Sequence, residues 1–310
     1  MEYVGCNLCE QDETRPWGFK DGLNIVACKK CGLVYTNPRL DQQELEAYYN
    51  PSYFDDRTQD ADPQRYRMYQ LEVEDMSRTI KMKGRFLDVG CANGIFLTVL
   101  PNTFEKYGIE FSEEAVEMGR QKFGLNIQIG KLSEVSYQDR YFDTIHMRAV
   151  IEHMESPRKQ LEAANRLLKP DGWLIVSTTP NIGGPIGSLY RERARLVYPK
   201  EHIYYFTRGT LSQMLKKTGF TPIRWVYPYW RTPYARVAKD LADFVLNYLT
   251  GRDSPPFWHS VMTVYAKKER VPSDGGEKVT VQPRHPERSS TQSKLREGSR
   301  FSRFFGRSLP

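Results

Sequence analysis

The sequence predicts an α/β protein, doubly wound around a mostly parallel sheet, with a small four-cysteine module at its N-terminal end and a disordered tail at the other. Three observations predict it. Strand-like and helix-like segments alternate from residue 85 to residue 177. The run Phe86-Leu87-Asp88-Val89-Gly90-Cys91-Ala92-Asn93-Gly94 reads as a buried strand breaking into a glycine turn and then a helix. Cys6 and Cys9, then Cys28 and Cys31, form two C-x2-C pairs separated by eighteen residues.

The cysteines come first in the chain. Their spacing suits four thiolates around one zinc ion, and Gly32 after Cys31 fits the tight turn of such a knuckle. Four thiolates complete a tetrahedron and leave no open position, so the metal is expected to be structural. A pair of short-loop disulfides is the rival reading, disfavoured in a reducing compartment. Residues 1–40 are read as this zinc-ribbon module, with Asn37-Pro38-Arg39 at its exit. A connector over 41–63 follows, containing a short helix from Gln42 to Tyr49 and a polar, Asp-rich stretch. Tyr66, Met68, Leu71, Val73 and Met76 then fall mostly at helical spacing, which predicts a helix over Gln64 to Lys81.

The main domain is read over residues 64–268. Arg85 to Cys91 is a strand, Ile95 to Leu100 a helix, Tyr107 to Phe111 a strand, and Glu113 to Phe123 a helix with two acids in its first turn. Ile127 to Ile129 and Phe142 to Ala149 are the next strands, and Pro157 to Leu168 a helix. Lys169-Pro170-Asp171-Gly172 reads as a turn into the apolar strand Trp173 to Ser177. Thr210 to Thr218 is helical and ends at Gly219; Ile223 to Tyr227 and Val261 to Ala266 complete seven strands. From residue 269 to 310 apolar periodicity vanishes, and a disordered basic tail is expected.

With 310 residues and 39% hydrophobic content, the chain can bury a full domain core. No run approaches the roughly 20 apolar residues that span a bilayer. Met1-Glu2-Tyr3-Val4-Gly5 has neither a basic nor an apolar leader region, so a cytoplasmic, reducing setting is expected. The formal charge is +7, but residues 269–310 hold nine Lys or Arg against five Asp or Glu. The folded part is only mildly basic, which weakens a nucleic-acid reading. Pro228 to Tyr234, followed by an amphipathic Val237 to Leu249, raises peripheral membrane contact as an alternative to packing or dimer contact. Phe301, Phe304 and Phe305 among arginines raise it again at the tail.

The glycine turn lacks both G-x-G-x-x-G and G-x-x-x-x-G-K-[ST], so neither a pyrophosphate nor a triphosphate cradle is indicated. A nucleotide-like cofactor without phosphates fits better. Cys91, inside the turn, is read as a packing residue beside that cofactor.

Phe86 to Gly94, Tyr107-Gly108-Ile109-Glu110-Phe111, Tyr141 to Ile145 with Val150-Ile151-Glu152-His153, and Leu168 to Trp173 stand in order. Together they resemble the motifs of class I S-adenosylmethionine-dependent methyltransferases over about residues 64–268. The resemblance implies a seven-stranded Rossmann-like methyltransferase domain. It places Gly90, Cys91, Asn93 and Gly94 along the methionine and ribose, Asp88 at the ammonium and Glu110 on the ribose hydroxyls. Many relatives carry an acid for the adenine amino group where this chain has Lys131, so backbone groups of Lys131 and Leu132 would serve there.

The segment 181–207 is read as a substrate lid: Gly183, Gly184 and Gly187 permit a flexible cover, and Arg191, Arg193 and Arg195 would face an anionic substrate. Its end, Tyr198 to Thr207, resembles a signature of methyltransferases that pair this domain with an N-terminal zinc module, sugar C-methyltransferases among them. There the positions matching Tyr198, Glu201 and His202 handle substrate and remove a proton. His202 is the first candidate base and His153 the second. The implied activity is methyl transfer to a small or carrier-bound polar metabolite, with a sugar or nucleotide-sugar favoured. An RNA methyltransferase is the second reading, and a degenerate S-adenosylmethionine-binding scaffold the third. The acceptor atom and the oligomeric state are not specified by the sequence.

Overall fold

The computed structural model describes residues 1–41, 43–44 and 62–269. Most of the helix expected over Gln42 to Tyr49, and nearly all of the tail, lie outside these residues. The larger sheet has seven strands in the order β10-β11-β8-β7-β4-β5-β6. They are β4 (Gly84–Val89), β5 (Phe104–Glu110), β6 (Asn126–Ile129), β7 (Phe142–Arg148), β8 (Leu168–Pro180), β10 (Phe220–Val226) and β11 (Val261–Lys268). β6, β5, β4, β7 and β8 run parallel, while β11 is antiparallel to both β8 and β10. The doubly wound, mostly parallel seven-stranded sheet predicted from the alternation is thus what the chain forms.

The helices are α1 (Pro63–Met76), α2 (Ile95–Val99), α3 (Glu113–Phe123), α4 (Pro157–Leu167), α5 (Pro185–Tyr190), α6 (Arg208–Lys217) and α7 (Val237–Leu249). Local chemistry sets their ends. Asp62 caps α1 through the Gln64 amide, with Pro63 at the first helical position. Ser112 caps α3 through the Ala115 amide, and Gly124 at φ +63° stops it. One segment differs from expectation: Lys169-Pro170-Asp171-Gly172 is a bulge within β8 rather than a turn before it. The register against β7 slips between Phe142↔Leu168 and Thr144↔Trp173, with Asp171 at φ +62°.

Strand alternation sorts the core into two faces. Leu87, Val89, Ile145, Met147, Leu174 and Val176 pack on one side. Phe86, Ile175 and Tyr265 pack on the other, beneath Tyr69 and Met76 of α1 and Phe96 and Leu97 of α2. Asp88 and His146 share the parity of Phe86, so they lie on the α1 face, and they are directly paired in the parallel register.

The N-terminal strands β1 (Thr14–Lys20), β2 (Leu23–Cys28) and β3 (Val34–Thr36) form a second sheet. Its fourth strand, β9 (Tyr204–Tyr205), comes from the segment expected to be a lid. Val34 pairs with Tyr205 and Tyr35 with Tyr204. Ile25, Ala27 and Val34 share a core with Ile186, Tyr190, Ala194, Val197 and Tyr205. The segment is packed against the ribbon sheet, and its glycines serve close approach. A Cβ at Gly187 would stand 2.1 Å from the Ile182 carbonyl oxygen, and one at Gly184 2.8 Å from that of His259. α7 seats Phe244 on Phe257 at 4.6 Å and buries Asp240 under the Tyr229 hydroxyl, leaving Leu241, Val245, Leu246 and Leu249 exposed. Among the described residues, no helix is long and apolar enough to cross a membrane.

Candidate active site

β4 is flanked by β5 on one side and β7 on the other, and the chain crosses over β4 between β6 and β7. This is the topological switch of the sheet, where a crevice opens beyond the carboxyl ends of the strands. The glycine turn lies at its mouth. Gly90, Ala92 and Gly94 all have positive φ, at +70°, +49° and +75°. Glycine is required at Gly90, because a Cβ there would stand 2.5 Å from Val150 Cγ2. That contact sets the turn after β7 directly against the turn after β4.

Glu110, at the tip of β5, is buried and holds the glycine turn. Its Oε2 accepts from the Ala92 amide at 2.8 Å, and its Oε1 from the amides of Phe111 and Ser112 at 2.6 and 3.2 Å. Since Ser112 caps α3, Glu110 is not merely a helix cap. Burial pushes its carboxyl pKa up, against the pull of those three amides. Three of the roughly four acceptor positions of a carboxylate are used, which leaves about one for a ribose hydroxyl. The cradle fits a nucleoside; a second hydroxyl would exchange for one of the amides.

Asp88 is buried and engaged. His146 Nδ1 lies 2.9 Å from Asp88 Oδ1, and His146 Nε2 lies 2.8 Å from the Ser177 hydroxyl and 3.5 Å from Glu72 Oε1. Glu72, on α1, also receives Arg148 Nε at 3.0 Å. Burial pushes Glu72 up, but Arg148 and His146 hold it down at about 2. Sequence reading missed His146, Glu72, Arg148 and Ser177. The available signal was a histidine between Ile145 and Met147 in an otherwise apolar strand.

The remaining cofactor candidates gather around this turn. Asn93 accepts from the Ile95 amide at 3.2 Å. Cys91 is buried, and burial, then the charges of Asp88 and Glu110, push its thiol well up, which suits packing and not nucleophilic chemistry. A Cβ at Gly108 would stand 2.5 Å from Cys91 Sγ. The Gly130 amide donates to the Glu110 carbonyl, bringing Lys131 and the buried Leu132 to the rim; Lys131 Nζ pairs with Glu155 at 2.9 Å.

Across the crevice stand Glu152 and His153, in a single 3-10 turn after β7, and His202, just before β9. The His153 and His202 rings meet edge to face at 4.6 Å, and Tyr198 lies 5.5 Å from His202. Each imidazole is oriented by a backbone carbonyl: His153 Nδ1 donates to Glu201 at 3.0 Å and His202 Nδ1 to Leu196 at 2.8 Å. The carbonyl of Leu196 thus orients His202 through Nδ1. Burial lowers both pKa values, so both imidazoles are neutral near pH 7. Glu152 is buried, and burial lifts its carboxyl to about 8. The Ile203 amide donates to the Glu152 carbonyl at 2.9 Å, tying the two halves of the centre.

The expected anion-binding arginines do not join this group. Arg191 lies over Trp17 of the ribbon at 5.7 Å, and Arg193 over Tyr190 and Tyr248 of the α5–α7 layer at 5.4 and 5.9 Å. Arg195 is held through its backbone amide by Ser254.

The four N-terminal cysteines do come together. Cys6 and Cys31 sulfurs are 3.4 Å apart, as are those of Cys9 and Cys28, and all four lie within 4.8 Å of one another. None is disulfide-bonded, since S–S bonds are about 2.05 Å. Metal–sulfur bonds of about 2.3 Å give tetrahedral edges of about 3.8 Å, which these spacings fit.

Residues 62–224 match the family described as a methyltransferase domain. An uncharacterised protein of Methanocaldococcus jannaschii is 29% identical over 157 residues, covering 51% of this chain and 74% of that protein. A tRNA U34 carboxymethyltransferase of Syntrophotalea carbinolica is 33% identical over 33% of this chain, which spans 31% of that enzyme's length. A ubiquinone biosynthesis O-methyltransferase of Thiobacillus denitrificans is 30% identical over 30% of this chain, which spans 44% of its length. Among solved structures, an S-adenosylmethionine-dependent methyltransferase of Thermotoga maritima aligns with a TM-score of 0.49 and 20% identity, over 67% of this chain and 91% of that one.

Proposed function

The chain belongs to the methyltransferase-domain family, and from this we propose that it methylates a small or carrier-bound polar acceptor, a sugar or nucleotide-sugar, held against Glu152, His153 and His202. It is an S-adenosylmethionine-dependent methyltransferase; the acceptor is our inference. Bound S-adenosylmethionine supplies an electrophilic methyl group on a sulfonium.

The observation that carries the reading is the contact between Gly90 and Val150, which brings the cofactor turn and the histidine turn to the same crevice. Gly90, Asn93 and Gly94 would hold the methionine and ribose, with Glu110 on a ribose hydroxyl, Asp88 near the ammonium and the Lys131–Leu132 backbone at the adenine. The Glu152–His153–His202 centre would receive the acceptor group and govern its proton, with Tyr198 and Glu201 at its edge. Neutral imidazoles suit that role near neutral pH. Alignment and exclusion of water then account for most of the rate.

We assign one structural zinc to Cys6, Cys9, Cys28 and Cys31. Because β9 completes the ribbon sheet, the ribbon would brace the acceptor wall. Residues 1–40 hold five Lys or Arg and five Asp or Glu, so the ribbon carries no net positive charge to favour RNA. Labelled methyl transfer to nucleotide-sugar and RNA pools tests the ranking: preferential labelling of the nucleotide-sugars supports it, and preferential labelling of RNA reverses it.

A further inference from the structure

The geometry points to a second metal site, distinct from the four cysteines: Glu152, His153 and His202 bind one divalent transition-metal ion that offers open positions to an oxygen of the acceptor. The acceptor part of this inference rests on the reading of the crevice given above; the metal part does not.

One oxygen of Glu152 and one nitrogen from each histidine lie within 4.8 Å of one another. The nitrogens are already prepared as ligands. A carbonyl can only accept, so the contacts from His153 Nδ1 to Glu201 and from His202 Nδ1 to Leu196 require the proton on Nδ1 in both rings. Each Nε2 is left as a bare lone pair on a ring held rigid from behind, the outer-shell arrangement that metal-ligating histidines use.

Glu152 adds the anionic ligand. Its side chain is buried, and among the side chains of the described residues it receives only a long hydrogen bond, 3.4 Å, from the Thr179 hydroxyl. The nearby Arg148 is paired with Glu72 at 3.0 Å. Two imidazoles and a carboxylate select zinc, iron, cobalt, nickel or manganese over magnesium or calcium. Three protein ligands leave the ion open, in contrast to the closed thiolate set. A coordinated acceptor hydroxyl would give its proton to solvent and present an alkoxide, whose charge completes neutralisation of the ion.

Cobalt(II) titration of the full-length, metal-depleted protein tests this, because thiolate-bound cobalt shows charge-transfer bands and nitrogen–oxygen-bound cobalt does not. The expected result is two equivalents per chain, one of each spectral type. Glu152→Gln and His202→Gln should each weaken the second by about 100-fold or more while leaving the thiolate bands intact. A single thiolate-type equivalent, or a second one unaffected by both substitutions, overturns the proposal. Calorimetry with S-adenosylmethionine on the same samples reports folding and separates the two readings. Protein that binds the cofactor but no second metal overturns the metal site alone; protein that binds the second metal but no cofactor overturns the methyltransferase reading alone.

Discussion

His146 Nδ1 lies 2.9 Å from Asp88 Oδ1, joining adjacent parallel strands by a buried charge-assisted bond at the floor of the crevice. Burial drives the imidazole pKa down, but the charge and hydrogen bond of Asp88, with Glu72 Oε1 3.5 Å away, outweigh this and lift it to about 9. His146 stands between two carboxylates, and it fixes where Asp88 stands.

Its removal should be felt in both stability and binding. His146→Phe leaves two buried carboxylates short of a partner, so a loss of about 3–5 kcal/mol in urea unfolding at pH 7 is expected. The folded-state pKa lies above the ordinary histidine value of 6.5, so this contribution is complete below pH 6.5 and is lost as pH rises through about 9. Wild-type stability should fall across that window, and the variant's should fall less. Equal slopes would show that His146 is neutral in the folded protein.

Why this network escaped sequence reading is instructive. The parallel sheet was legible because apolar strands alternate with helices, and the glycine turn because Gly90 and Gly94 punctuate it. The Asp88–His146–Glu72–Arg148 cluster joins β4, β7 and α1, and nothing local in any of them marks the others. The packing of residues 181–207 was illegible for a related reason. Gly183, Gly184 and Gly187 read locally as freedom, whereas the pairing of Tyr204 and Tyr205 with β3, some 170 residues away, makes the segment part of a sheet. Cys6, Cys9, Cys28 and Cys31 were legible because their spacing alone encodes their geometry. His153 and His202 were each visible as candidates, but their contact with Glu152 depends on how the ribbon docks.

That docking gives the zinc proposal a distant consequence. Cys28 ends β2 and Cys31 precedes β3, and β3 pairs with β9, whose neighbour Ile203 bonds to Glu152. Cys28→Ser should lose the bound zinc and lower methyl transfer by at least about tenfold, while affinity for S-adenosylmethionine changes by less than about threefold, since the glycine turn belongs to the other sheet. Equal losses of binding and turnover would mean that the ribbon supports the whole fold.

Gly94→Ala tests the turn itself. At φ +75° an alanine costs about 1–2 kcal/mol, and its Cβ would stand 2.4 Å from Leu125 Cδ1 and 3.2 Å from Ile127 Cδ1. Strain and overpacking together should remove about 2–4 kcal/mol of stability and weaken cofactor binding. Wild-type stability in this variant would show that the turn has another accessible conformation.

Glu110 separates shaping the turn from binding the cofactor. Its carboxylate accepts the amides of Ala92, Phe111 and Ser112, so a neutral glutamine loses part of this and presents donors where donors already stand. Burial nevertheless raises the carboxyl pKa, so the ionised form costs the folded state something above pH 4.5 that glutamine does not. These effects oppose each other, and Glu110→Gln should change stability by less than about 1 kcal/mol. A ribose hydroxyl donating to the carboxylate makes a charge-assisted bond worth about 1.5–3 kcal/mol, so S-adenosylmethionine affinity should fall by about 10- to 150-fold. Wild-type affinity should also weaken as pH drops through the raised pKa of Glu110, and the glutamine variant should lack that component. If calorimetry instead finds affinity falling only in proportion to lost stability, Glu110 shapes the turn and leaves the ribose to other groups.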